Sequence, residues 1–148
     1  MRKVVSDNDW RSDQALKFLK THERVIVFYN YDYELERILD VAKSSGHPTA
    51  QWNGHRHDVL PGGKRWLYIC QYTSAAEGWN CISTDTVLFW SLNYSWRVTE
   101  QCEGRIDRLN TPYSELKYYF LESDSGIDKA VRRALRSKQI FNEKAFLG

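Results

Sequence analysis

Two arginines, Arg105 and Arg108, stand three residues apart in the run Gln101-Cys102-Glu103-Gly104-Arg105-Ile106-Asp107-Arg108. On a helix that spacing sends both guanidinium groups off one face, where they can converge on a single anion, and phosphate suits their planar fork of donors. Gln101 lies a further turn back near that face, and Gly104 leaves room for a ligand or another backbone to approach. Alone, two such arginines more commonly form a solvated or salt-bridged surface. A second run, Thr73-Ser74-Ala75-Ala76-Glu77-Gly78-Trp79-Asn80, gathers hydroxyls, a carboxylate and an amide around a glycine, 20 residues before the first.

Other chemistries fit these residues less well. Cys102 and Arg108 have the Cys-x5-Arg spacing of a phosphatase loop, but such a cysteine should leave a buried strand, and Glu103 beside it opposes a thiolate. Gly62-Gly63-Lys64 is followed by Arg65 and precedes a strand, so it reads as a turn and not as a phosphate-binding loop. His55-Arg56-His57 has no carboxylate or cysteine neighbour to complete a metal set and reads as a surface loop. Cys70, Cys81 and Cys102 have no CxxC spacing and cannot all pair within one chain, which fits a reducing cytoplasm better than export.

The elements that must hold these residues alternate along the 148-residue chain. A short helix is predicted over Ser12 to Lys20, and Arg24-Val25-Ile26-Val27-Phe28-Tyr29 has the β-branched and aromatic character of a strand buried on both faces. Leu35, Ile38, Leu39 and Ala42 recur at helical spacing before Gly46, predicting a helix from Tyr31 to Ser45 with a glycine cap. Strands are expected at Thr49 to Trp52, Arg65 to Gln71, Thr86 to Leu92 and Leu116 to Leu121. Ser95 can cap a helix that runs to about Arg108, and a last helix is expected from Ser125 to Gln139. Such alternation predicts a single α/β domain, a mostly parallel β-sheet with helices on both faces, whose ligands sit at the carboxyl ends of the strands.

Taken in order, the segments resemble the C-terminal RecA-like domain of superfamily 2 helicases and translocases, the Swi/Snf-like and phage-type members in particular. Arg24 to Ile38 is similar to that family's motif IV, and Gln51-Trp52-Asn53-Gly54 to the strand and glycine step after it. Thr73 to Asn80 resembles motif V, which commonly ends Glu-Gly-Leu-Asn, and Gln101 to Arg108 resembles motif VI, Gln-x-x-Gly-Arg-x-x-Arg. The likeness covers nearly the whole chain, as one domain over residues 1–148. Asp107 departs from the pattern where many members carry glycine.

The resemblance implies roles. Arg105 and Arg108 would be arginine fingers on ATP held by a separate N-terminal RecA-like domain, which would also hold most of the Mg2+ contacts. Glu77, Gly78, Asn80, Gln101 and Gly104 would line the nucleotide cleft, while Asn30, Gly54, Arg56, Thr73 and Ser74 would meet nucleic acid, DNA or else RNA. The N-terminal domain, supplied in cis or in trans, is missing here by this comparison, since neither a Walker A pattern nor a magnesium carboxylate motif occurs. The chain alone is therefore expected not to hydrolyse ATP. The competing expectation is a non-catalytic module that binds nucleic acid or docks on a helicase.

Charge and hydropathy agree with a water-exposed domain. No apolar run approaches the roughly 18 residues of a membrane span, so no membrane partner is expected, and the polar start lacks a signal-peptide pattern, which points to the cytoplasm, a host's if phage-encoded. Net charge is +2, yet residues 126–148 carry +4, leaving −2 over residues 1–125. A basic terminal segment of this kind suits either a solvated face or a phosphate backbone.

Overall fold

The computed structural model describes residues 2–72, 81, 83–91, 96–123 and 126–134, with side chains from Trp10 onward. Its elements are α1 (Arg2–Leu19), β1 (Arg24–Tyr29), α2 (Asp32–Ser45), β2 (Thr49–Trp52), β3 (Trp66–Gln71), β4 (Thr86–Phe89), α3 (Trp96–Glu103), β5 (Glu115–Ser123) and β6 (Gly126–Arg133). The six strands form one sheet in the order β2-β3-β1-β4-β5-β6. Every pairing from β2 to β5 is parallel, and only β6 runs antiparallel to its neighbour β5.

Period-two alternation divides the core. Val25, Val27 and Tyr29 of β1 join Leu67, Ile69, Leu88 and Trp90 under Ala15, Phe18 and Leu19 of α1 and Ile38, Val41 and Ala42 of α2. Ile26, Phe28, Tyr68, Cys70, Val87 and Phe89 face the other way, against Cys102 of α3 and Ile106 just past it. A strand covered on both faces must be apolar at every position, and β1 is buried from its second residue to its last. The predicted α/β domain, mostly parallel and covered by helices on both faces, is therefore the observed architecture.

Four boundaries differ from expectation. Helix α1 starts at Arg2, ten residues before Ser12. Its early residues carry no apolar period to announce them, but an existing helix extends at the cost of one ordered residue per added hydrogen bond. Arg11 then ties α1 to the sheet, donating from Nη1 to the carbonyls of Trp90 at 2.6 Å and Leu121 at 2.8 Å. Helix α3 ends at Glu103, not near Arg108. Strand β4 ends at Phe89, short of Leu92.

The fourth difference is the largest. The predicted helix from Ser125 to Gln139 is instead strand β6, paired antiparallel to β5 from Glu115↔Arg133 to Ser123↔Gly126. Ile127, Val131 and Ala134 suggest a helical stripe, yet Val131 is exposed and Ala130 packs on the core that the period would have left outside. The free edge of β5 supplies the reason, since an unpaired row of backbone groups is satisfied by an added strand and not by a helix. Residues 135–139 of the expected helix lie outside the described residues.

Candidate functional site

Parallel strands β1, β3 and β4 all finish at one edge of the sheet. Chain leaving β1 turns to α2 on one face, whereas α3, which follows β4, packs on the other, so a topological switch lies between β1 and β4. Glu34 fills it. This carboxylate is 3% exposed, and its Oε1 accepts from the backbone N–H of Asn30 and Tyr31, both at 2.9 Å, and from Ser91 Oγ at 3.1 Å. Asn30 donates from Nδ2 to Ser91 Oγ at 2.8 Å, Gln71 donates to the Asn30 carbonyl, and the Tyr72 hydroxyl donates to the Ser91 carbonyl at 2.7 Å. The helix dipole of α2 favours negative charge at this end. Sequence reasoning missed Glu34, although a glutamate at the third helical position is the second half of a capping box.

The Arg105–Arg108 run departs from its expected geometry. Because α3 stops at Glu103, the two arginines share no helical face; Arg105 lies in the following turn and Arg108 beyond it. An eight-residue helix is about 12 Å long, so α3 carries them well away from the end of β4, where the fold rule had put them. The turn is anchored by Cys102 and Ile106, both fully buried, and by the Tyr118 hydroxyl, which donates to the Glu103 carbonyl at 3.2 Å. Arg105 is left half-buried and Arg108 exposed. Burial pulls the Arg105 guanidinium below its ordinary value, and the nearby Arg108 charge acts in the same direction. Two cations close enough to repel are a place where an anion is stabilised.

Thr73, Ser74, Glu77, Gly78 and Asn80 lie outside the described residues, but both flanks of their segment are fixed. Tyr72 is held at the strand edge, and the Cys81 N–H donates to the Arg105 carbonyl at 2.8 Å. The residue that closes one predicted motif is thus bonded to the first arginine of the other. Gln101 is exposed on α3, and a Cβ on Gly104 would meet only helix carbonyls of Gln101 and Glu100 at 3.4 and 3.5 Å, so its outer side is open.

Loop 53–58 carries the other candidates. Buried Asn53 accepts from the backbone N–H of His55 and Arg56, and Trp52 stacks on the His57 ring with centroids 4.2 Å apart. Arg56 is exposed but ion-paired to Asp58 at 2.9 Å. No atom lies within 4 Å of a Cβ built on Gly54, whose glycine identity is not demanded by the fold. Gly63, at φ 98°, does need to be glycine, as the turn reading of Gly62-Gly63-Lys64 implies.

Two rival readings meet the geometry here. Cys102 is fully buried, and that burial pushes its thiol far above the ordinary range, so it stays protonated and is no phosphatase nucleophile. Arg132 of the basic terminal segment is bonded to Glu103 at 3.2 Å, which spends part of that positive charge inside the chain. Among the described residues no helix is long and apolar enough to cross a membrane, and no three His, Cys, Asp or Glu side chains gather as a metal site.

No protein-family model matches this chain, and no curated protein matches its sequence. Among solved structures it is similar to the C-terminal part of the Fun30 ATPase domain, at a TM-score of 0.62 and 15% identity over 70% of this chain. The matched part spans 38% of that structure's chain. A likeness to fission yeast Ccq1 and Tpz1, at a TM-score of 0.37 and 10% identity over 67% of this chain and 36% of that one, is too low to bear on the fold. The first likeness bears on the fold alone, that of a RecA-like half.

Proposed function

We propose that this chain is the C-terminal RecA-like half of an ATP-driven nucleic-acid helicase or translocase, working with a separate Walker A-bearing domain in cis or in trans. The observation that carries the reading is the bond from Cys81 N–H to the Arg105 carbonyl. It joins the end of the 73–80 segment to a turn that offers one half-buried and one exposed guanidinium. Arg108 would reach across the cleft to the γ-phosphoryl group, where positive charge fixed in advance stabilises the transition state. Arg105, partly desolvated and already oriented, would hold the ground-state phosphates, with Gln101 and Gly104 beside it and Glu77, Gly78 and Asn80 lining the same cleft.

Thr73 and Ser74 would meet nucleic-acid phosphates, so that strain in their segment reaches Arg105 through Cys81. Gly54 and Arg56 would add contacts from the loop after β2, and Asn30, bonded to Ser91, would set the edge they share. No residue of this chain is assigned to magnesium, because its described side chains gather no donor set; that ion belongs to the missing domain. The fold likeness to the C-terminal part of an ATPase domain supports this division of labour.

Mixing the chain with its Walker A-bearing domain, or fusing the two, tests the reading. ATP hydrolysis should appear only in the mixture and should rise when single- or double-stranded nucleic acid is added. A mixture no more active than the Walker domain alone overturns it.

A further inference from the structure

The opposite edge of the sheet, where the parallel strands begin, carries chemistry that this reading does not use. The starts of β3, β1 and β5 bring Arg65, Arg24 and Lys117 into a row, with Asp85 between them before β4; the register pairs Arg24 with Trp66 and Thr86 with Lys117. The turn before β1 adds Lys20, and together these residues line an open groove of about 600 Å3. Its two carboxylates are Glu23 and Asp85, and Asp85 is engaged by Lys117 at 3.5 Å and by the Thr86 hydroxyl at 2.8 Å. Arg24 donates from Nη1 to the Ser83 carbonyl at 3.1 Å, which holds its planar head in the wall with other donors to spare. The side chains of Lys20 and Arg65 are exposed and make no ion pair or hydrogen bond among the described residues.

We propose that this groove seats the phosphate backbone of a nucleic-acid strand, a second contact separate from the Arg105–Arg108 turn. Three strand spacings separate β3 from β5, roughly 14 Å, which suits a succession of phosphates better than one ion. Guanidinium forks at two of the positions favour phosphate oxygens, and the polar walls give apolar ligands nothing to bury against. The inference rests on the reading that nucleic acid is the substrate, and it assigns the groove to holding the strand, not to hydrolysis.

The test uses the 148-residue chain and a labelled single-stranded DNA of roughly 20 nucleotides, followed by anisotropy from about 50 to 200 mM salt. Exchanging both free cations, Lys20→Glu with Arg65→Glu, touches only exposed side chains and should leave the fold's circular dichroism unchanged. Affinity should fall at least about tenfold, and the slope of log K against log salt should become shallower by about 2, one unit per lost phosphate contact. In parallel, amide resonances of Thr84, Thr86 and Lys117 should shift on adding the oligonucleotide. Unchanged affinity and slope in the double variant overturn the groove, as does a parent chain that binds no oligonucleotide at the lowest salt. Equal shifts with polyglutamate would instead make it a seat for an acidic protein surface, and saturation by inorganic phosphate with no response to DNA would make it a free-ion site; either result overturns the proposal. Failure of the groove alone leaves the ATPase of the two-domain mixture intact, whereas failure of the helicase reading removes that ATPase with the groove shifts still present.

Discussion

The hub around Glu34 and the turn around Arg105 are both polar, both lie at the end of a structural element, and they differ in where their hydrogen bonds go. Glu34 is buried and takes its donors from Asn30, Tyr31 and Ser91, closing the ends of β1 and β4 on themselves. The turn after α3 hangs from two buried side chains, Cys102 and Ile106, and sends an exposed Arg108 outward. A polar group satisfied within the chain specifies the fold, while a charge held firmly but left facing out is available to something else. The hub therefore builds the switch point, and the turn acts through it on a partner domain.

Perturbing each region should break different properties. In the two-domain mixture, Arg108→Ala should lower kcat by roughly 10³-fold while leaving the melting temperature near the parent's, and Arg108→Lys should rescue little, because an ammonium does not reproduce the planar fork. Glu34→Ala should do the reverse, costing about 3 kcal/mol in urea unfolding by orphaning three donors, with any loss of turnover following the loss of folded protein.

Smaller effects sharpen the contrast. Burial raises the Glu103 carboxyl above its ordinary value, and Arg132 only partly offsets this. A raised pKa contributes stability that is complete below the unfolded value and is lost as pH rises through the folded one. Relative to the parent, Glu103→Gln should therefore gain in urea midpoint as pH rises from about 4 to 7; a difference that is flat or runs the other way contradicts the assignment. Smallest of all, Tyr29→Phe removes a buried hydroxyl that faces Asn53 without a bond of good geometry, and should change stability by less than about 1 kcal/mol.

What the sequence made legible follows from how local its cause was. Strand β1 and helix α2 are written in their own residues: a run apolar on both faces, then a helical stripe closed by Gly46 at φ 79°. Strand β6 is not, because its cause is the unpaired edge of β5, and the stripe of Ile127, Val131 and Ala134 fits a helix as well as a hairpin. The same holds at the site. Arg105 and Arg108 stand out by spacing, but the end of α3 at Glu103 depends on Cys102 and Ile106 entering a core built by distant strands. Glu34 was concealed for the opposite reason, since one acidic residue among Asp32, Glu34 and Glu36 looks like ordinary helix surface until Ser91 is brought 3.1 Å from it.

The central claim is that this chain completes an ATP site it does not itself contain. The most direct measurement is the affinity of the Walker A-bearing domain for ADP with tetrafluoroaluminate, a mimic of the transferring phosphoryl group, taken alone, with the parent chain, and with the Arg108→Ala chain. The parent chain should tighten binding by roughly 10³-fold and the variant should not, because the finger's charge matters most in the transition state. Equal affinity with the parent and the variant chain would contradict the account.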